Sequence, residues 1–242
     1  IKFYRMKKLF LLAATLFSMS VFAQEQGDDN GFGLKIHAGI CGSNYGAQKV
    51  EVDLGPLSGD SEWKKDENRS NNPLFGASID NRWYVANPGN FGIAIDARWL
   101  DIAVGKSKWE KEGVEYLNST NAQIGLLMPG VIGTFYLGNE MAIDAFYNVG
   151  PTMAMSAVES SLDNAIYDSL EDTKWGFGFS HFLGAAFRFK VFQAGVEYNF
   201  AHLKSVDWFD DEEEDSLNNA VNTIAETKTK FDNLRIFLGF KF

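Results

Sequence analysis

The sequence predicts an all-β fold: an eight-stranded antiparallel up-and-down β-barrel that spans a membrane, preceded by the helix of an N-terminal signal peptide. Three observations carry this. The last stretch, Lys230–Phe242, alternates strictly. Leu234, Ile236, Leu238, Phe240 and Phe242 fall on one side, and Asn233, Arg235, Phe237, Gly239 and Lys241 on the other. A wholly large, apolar row opposite a mixed one suits a strand with hydrocarbon on one face and a polar lumen on the other. Seven further segments show the same period of two. The connections between them alternate long and short, as in a meander closed on itself.

The chain start reads as a leader. Met6-Lys7-Lys8 is basic, Leu9–Phe22 is an almost unbroken apolar run, and Val21-Phe22-Ala23 precedes the polar stretch Gln24–Asn30. The run is too short for a spanning helix and has the layout of a secretory signal peptide. The expected organisation is therefore a signal peptide at 1–23 with its natural start at Met6, a short lead-in at 24–31, and the barrel at 32–242.

The strands follow in order. Phe32, Leu34, Ile36, Ala38 and Ile40 point out, against Gly33, Lys35, His37 and Gly39. In 74–85, Phe75, Ala77, Ile79, Trp83 and Val85 oppose Gly76, Ser78, Asp80, Arg82 and Tyr84. Asn87-Pro88-Gly89-Asn90 is a tight turn, after which Phe91, Ile93, Ile95, Ala97 and Trp99 oppose Gly92, Ala94, Asp96 and Arg98. The fourth strand, 122–137, is the least regular, and Pro129-Gly130 marks a bulge or register shift in it. Segments 141–149, 175–189 and 192–200 complete the seven, joined by short turns at 138–140 and near Lys190. The polar connections 41–72, 103–120, 156–174 and 204–229 are expected as loops at the opposite end. Trp83 is expected at the water boundary near the short turns, and Trp99, Trp175 and Trp208 at the other.

Charge is sorted with the same asymmetry. The formal net charge is −10, and because the leader holds four basic and no acidic residues the remainder carries −14. The four long connections account for −2, 0, −4 and −6 in chain order. Strands with little net charge satisfy desolvation, and so acidic a chain is a poor nucleic-acid binder, which excludes that partner. Cys41 stands alone, so no intrachain disulfide and no thiolate cluster can form.

Asp80, Arg82, Asp96 and Arg98 share the inward face of two strands joined by one short turn, so antiparallel pairing brings them together. Lys35, His37, Asp144, Arg188, Glu197 and Arg235 join the same lumen. Eight strands leave an interior that side chains fill, so the set is expected to be a structural ion-pair plug rather than an ion path. The acidic run Asp207–Asp215 lacks the alternating spacing and glycine of a calcium loop and is expected as a solvated tip, with loose capture of divalent cations as the alternative. His181 and His202, the latter with Asp207 nearby, are candidate rim catalysts, but neither sits in a recognisable enzyme motif. The sequence contains no phosphate-binding glycine loop, zinc-ligand spacing or nucleophile elbow. No enzyme, cofactor or metal is expected.

From residue 31 onward the chain resembles the small bacterial outer-membrane β-barrels, the eight-stranded OmpX- and OmpA-like proteins. The Phe-Ala-Gln leader ending and Tyr198-Asn199-Phe200 look like those of Bacteroidota. Asp168-Ser169-Leu170 and Asp215-Ser216-Leu217 resemble an O-glycosylation motif used there. The resemblance implies a cell outer membrane location with both termini periplasmic, and contact with outer-membrane lipid and lipopolysaccharide. It further implies a closing strand whose Leu238, Phe240 and Phe242 are read by the barrel-assembly machinery. The function it suggests is structural or surface interaction with an extracellular protein partner. A PorT-like component of a secretion system, or a narrow porin-like channel, is the alternative.

Overall fold

The computed structural model describes residues 30–42, 45–52, 59–60, 62, 64, 67–138, 140–160, 172–206 and 225–242. The expected leader, the run Asp207–Asp215, Trp208 and both Asp-Ser-Leu triplets lie outside the described residues.

Eight strands close the barrel: β1 (Gly31–Cys41), β5 (Leu74–Ala86), β6 (Phe91–Lys111), β7 (Val114–Gly138), β8 (Met141–Ser160), β9 (Asp172–Phe189), β10 (Phe192–Val206) and β12 (Asn233–Lys241). Each pairs antiparallel with its neighbours in this order, and β12 pairs with both β10 and β1, which completes the ring. Closure leaves the barrel wall without a free edge. Four short strands stand above it: β2 (Gln48–Val52), β3 (Gly59–Asp60), β4 (Arg69–Asn71) and β11 (Ala225–Lys230). β4 adds to upper β6, while β11, β2 and β3 extend in succession from upper β10.

The connections differ from the sequence expectation. Segment 103–120 is no loop: β6 and β7 run on and meet at Glu112-Gly113, whose φ values of 54° and 81° are both positive, as a two-residue hairpin turn of matching twist requires. Likewise 41–72 contains β2, β3 and β4, and 204–229 contains the end of β10 and β11. The physical reason is shared. Beyond the hydrocarbon both rows of a strand can be polar, so the ladder continues while the apolar alternation that marks it in sequence stops.

Outward rows are apolar and exposed: Ile36 60 %, Phe75 64 %, Phe179 60 % and Leu238 59 % stand against inward residues such as Arg98 at 0 %. The arrangement is inside-out relative to a water-soluble sandwich and is that of a cylinder with hydrocarbon outside. Phe32 departs from its expected outward exposure and is buried.

A pair of bulges shapes the wall. Ile79 faces Leu100 but Asp80 faces Arg98, so Trp99 is the extra residue on β6. In β7 the register to β8 slips between Gly125 and Gly130, where Leu127 takes φ 49°, in the region the sequence flagged at Pro129-Gly130. Arg98 pairs with Met128 and Leu100 with Leu126, so the two irregularities sit side by side. Each reverses which parity faces inward: 92–98 point in on even numbers, 101–107 on odd. Trp83 and Trp99 consequently do not mark opposite boundaries. Their rings meet edge to face with centroids 6.4 Å apart, and Trp99 Nε1 donates to Asn81 Oδ1 at 3.0 Å.

The interior is layered. Near the short turns Ala94, Ile132, Phe146, Ala186 and Phe237 form an apolar layer with Tyr84 packed on it. At the far mouth Tyr45, Leu74, Ala154, Ala201, Leu203 and Phe231 form another, against which Cys41 packs. The charged residues lie around and between them.

Candidate functional site in the barrel lumen

All ten lumen residues expected from sequence are buried inside the ring: Lys35, His37, Asp80, Arg82, Asp96, Arg98, Asp144, Arg188, Glu197 and Arg235. Their partners differ from those that local pairing suggests. Asp80 stands opposite Arg98 and Arg82 opposite Asp96 in the ladder, yet Asp80 turns to its other neighbour β1, and Arg82 and Asp96 reach across to β8. Lys35 Nζ lies 2.6 Å from Asp80 Oδ2, Arg82 Nη1 donates to Asp144 at 2.8 Å, and Asn148 donates to Asp96 at 2.7 Å. Long side chains cross a narrow lumen more readily than they fold flat against their own wall.

Asp144 organises the end near the short turns. It accepts from Arg82 and, at 2.6 Å, from Thr134, and lies 3.5 Å from Arg188 Nε. Tyr84 OH accepts from Arg188 at 3.2 Å and contacts Thr134 Oγ1 at 2.6 Å. The Lys35 ammonium lies 5.2 Å and 5.4 Å from the ring centres of Phe146 and Phe237, so the apolar layer offers ring faces to the cation.

A second cluster lies toward the mouth. Arg98 grips Glu197 through both terminal nitrogens, at 3.2 Å and 2.7 Å, with Asp101 Oδ2 at 3.4 Å. Arg235 Nη1 donates to both Asp101 oxygens at 2.8 Å and 3.0 Å, while its Nε donates to Asn233 at 2.7 Å. The two guanidiniums stand 4.4 Å and 5.0 Å from the centre of the Phe182 ring. His37 Nε2 lies 3.6 Å from Asp101. Two cations and two carboxylates thus balance in a water-poor space, held by bidentate geometry. Gln123 accepts from Asn199 at 3.2 Å and donates to Tyr45 OH at 3.1 Å, linking the cluster to the apolar mouth. Burial raises the Tyr45 phenol above its ordinary range, which keeps it neutral there.

Asp101 was absent from the sequence-derived set, although two arginines converge on it. The bulge at Trp99 conceals it, because unbroken counting from Asp96 and Arg98 sends residue 101 outward. The signal was present in Asp101, Ala103 and Gly105 alternating with Ile102 and Val104, a strand of opposite parity. Asn121 and Asp232 were missed too.

The rim histidines face outward. Tyr147 OH contacts His181 Nδ1 at 2.7 Å, and His202 Nε2 lies 3.5 Å from Asp232 Oδ1, so Asp232 is the carboxylate the structure sets beside His202. Asp207 lies outside the described residues. Among the described residues no group of His, Cys, Asp and Glu has the arrangement of a metal site. Leu238, Phe240 and Phe242 form an exposed outward row, with Phe240 5.2 Å from Phe192, ring centre to ring centre.

No known protein family and no curated protein matches the chain. Among solved structures it is similar to Ail, the attachment invasion locus protein of Yersinia pestis, at 10 % identity over 87 % of this chain and 98 % of that one, TM-score 0.38. It is similar to outer membrane protease OmpT from Escherichia coli at 9 % identity, 91 % and 99 % coverage and TM-score 0.47. It is also similar to Neisserial surface protein A at 12 % identity, 87 % and 97 % coverage and TM-score 0.35. On the register of its own strands, the chain is an all-β, eight-stranded antiparallel up-and-down barrel.

Proposed function

We propose that this chain is a non-enzymatic integral protein of the bacterial outer membrane, a plugged barrel with acidic extracellular loops and a β-rich brim, for structural or surface interaction. The observation that carries the reading is an apolar exterior around a lumen occupied from end to end by buried, interlocked side chains. Arg98, Arg235, Phe182 and Tyr45 are each no more than 1 % exposed. Such a lumen leaves little for an ion to follow. What projects instead is the brim: upper β6 and β7, and β11, β2 and β3 beside them. In this reading the turns at 87–90 and 190–191 and both chain ends face the periplasm, and Leu238, Phe240 and Phe242 are the row read by the assembly machinery.

Two measurements test it. Planar bilayers containing the refolded protein should show no discrete conductance; stable unitary steps would overturn the plugged lumen. In a Cys41→Ser background, a Glu112→Cys variant on intact cells should react with a membrane-impermeant maleimide while Asn90→Cys should not. The reverse pattern would invert the assigned orientation. Deleting the tip of the β6–β7 hairpin should impair surface attachment; loss of secreted cargo instead would favour a secretion-system component.

A further inference from the structure

Tyr45 lies in the connection between β1 and β2, yet it is 1 % exposed inside the far mouth of the ring. The pocket it fills belongs to other elements. Leu74 of β5, Ala154 of β8, Ala201 and Leu203 of β10, and Phe231 just ahead of β12 pack with it, the Phe231 ring edge-on with centroids 5.5 Å apart. Alanine at two of these five wall positions leaves the width that an aromatic ring occupies. At the floor, Gln123 Nε2 donates to the Tyr45 hydroxyl at 3.1 Å. That donor is aimed independently of Tyr45. Gln123 Oε1 accepts from Asn199 Nδ2 at 3.2 Å and from Arg235 Nη2 at 3.4 Å, which fixes the orientation of the amide.

Tyr45 itself is tied down from above the wall. Its carbonyl accepts from Asn71 Nδ2 at 3.4 Å, and the Gly46 carbonyl accepts from Arg69 Nη1 at 3.4 Å, both donors standing on β4. The Tyr45 amide donates to the Gly42 carbonyl at 3.0 Å and the Gly46 amide to the Lys230 carbonyl at 2.6 Å. Gly46 has φ 78°, a left-handed backbone at which the chain turns after setting the Tyr45 side chain inward. The two side-chain bonds from β4 are longer than a well-formed N–H···O bond. None of the four is a ladder bond of the ring, so the Tyr45 ring can leave its pocket with the wall intact.

We infer that Tyr45 is the tethered occupant of a ligand pocket, and that the pocket takes in its place a small neutral aromatic carrying one acceptor oxygen, a phenol or an aryl ether. The inference rests on the closed ring and goes beyond the surface role above. Apolar walls select the ring, and Gln123 selects the oxygen, because a ligand without one strands a buried amide donor. A charged ligand is refused by the cost of desolvation in an apolar mouth. Tyr45 competes with the ligand, so the apparent affinity is the intrinsic one lowered by the fraction of molecules in which Tyr45 is displaced.

The test is a fluorine NMR titration of the full chain in phosphatidylcholine nanodiscs with 4-fluorophenol and with fluorobenzene, empty nanodiscs giving the lipid background. Tyr45→Ala should bind 4-fluorophenol about tenfold more tightly than fluorobenzene, which leaves the Gln123 donor unpaired. The wild type should bind 4-fluorophenol more weakly than Tyr45→Ala does. Arg69→Gln, which loosens the tether and leaves the pocket walls untouched, should bind about tenfold more tightly than the wild type, the effect of losing one hydrogen bond from a charged group. It also keeps the test open if Tyr45→Ala does not fold. A Tyr45→Ala barrel that is folded by heat-modifiable gel mobility, yet takes up no more 4-fluorophenol than empty nanodiscs, would overturn the pocket. Equal affinity for the two probes would overturn the role of Gln123. Wild-type affinity in Arg69→Gln would make Tyr45 a fixed core residue and overturn its displacement.

Discussion

Arg98 is fully buried, and its guanidinium makes two bonds to Glu197, one to Asp101 and a face contact with Phe182. Replacing it with methionine keeps much of the length and removes the charge. Arg235 is then the one arginine left for two carboxylates, and a buried negative charge remains uncompensated beside the apolar mouth. Breaking a buried pair from one side costs about 3–5 kcal/mol, most of it the exposed need of the surviving partner. That origin is separable. If the loss reflects stranded charge, Arg98→Met/Glu197→Gln should recover a large share of it, with a coupling of about 1–3 kcal/mol in the double-mutant cycle. If the loss reflects packing against Phe182, the double variant should be no better than the single. The assay is reversible urea unfolding of the barrel refolded into lipid vesicles, followed by tryptophan fluorescence and heat-modifiable gel mobility. A single variant within about 0.5 kcal/mol of wild type, the range of an ordinary surface change, would refute the lumen electrostatics.

Two further expectations use the same unfolding assay. Trp99→Phe removes the donor to Asn81, whose amide is buried on the outer wall, and should cost about 1–3 kcal/mol; Asn81→Ala in that background should add little. Gly76→Ala would put a Cβ 2.0 Å from the Ile102 carbonyl oxygen and 2.9 Å from Ala103 Cα, backbone that cannot yield, so a loss of about 1–3 kcal/mol or failed refolding follows. Gly133→Ala meets nothing nearer than Phe91 Cζ at 3.5 Å and should refold as well as wild type.

Much of the barrel was readable residue by residue. Leu34 to Ile40 and Leu234 to Phe242 declare their outward rows because hydrocarbon admits nothing else there, and the charged members of the lumen follow by parity. Reading failed in three places for identifiable reasons. At Trp99 and Leu127 an inserted residue reversed the parity, so Asp101 was left out of the lumen set. Above the membrane, Lys106–Glu115 lost its apolar row without losing its ladder, so a hairpin read as a loop. Along β2, β4 and β11, polar residues on both faces left nothing for periodicity to detect.

Solvent polarity acts on each residue separately, so the order along the chain already determined how many strands close the ring and where the short turns at 87–90, 138–140 and near Lys190 fall. Ion pairing in the lumen obeys a different rule. Which carboxylate each cation finds depends on strand tilt, on the stagger of distant strands and on two bulges, and these exist only once the ring has closed. Asp144 gathering Arg82 and Arg188, and Asp101 joining Arg98 to Arg235, are therefore properties of the closed cylinder.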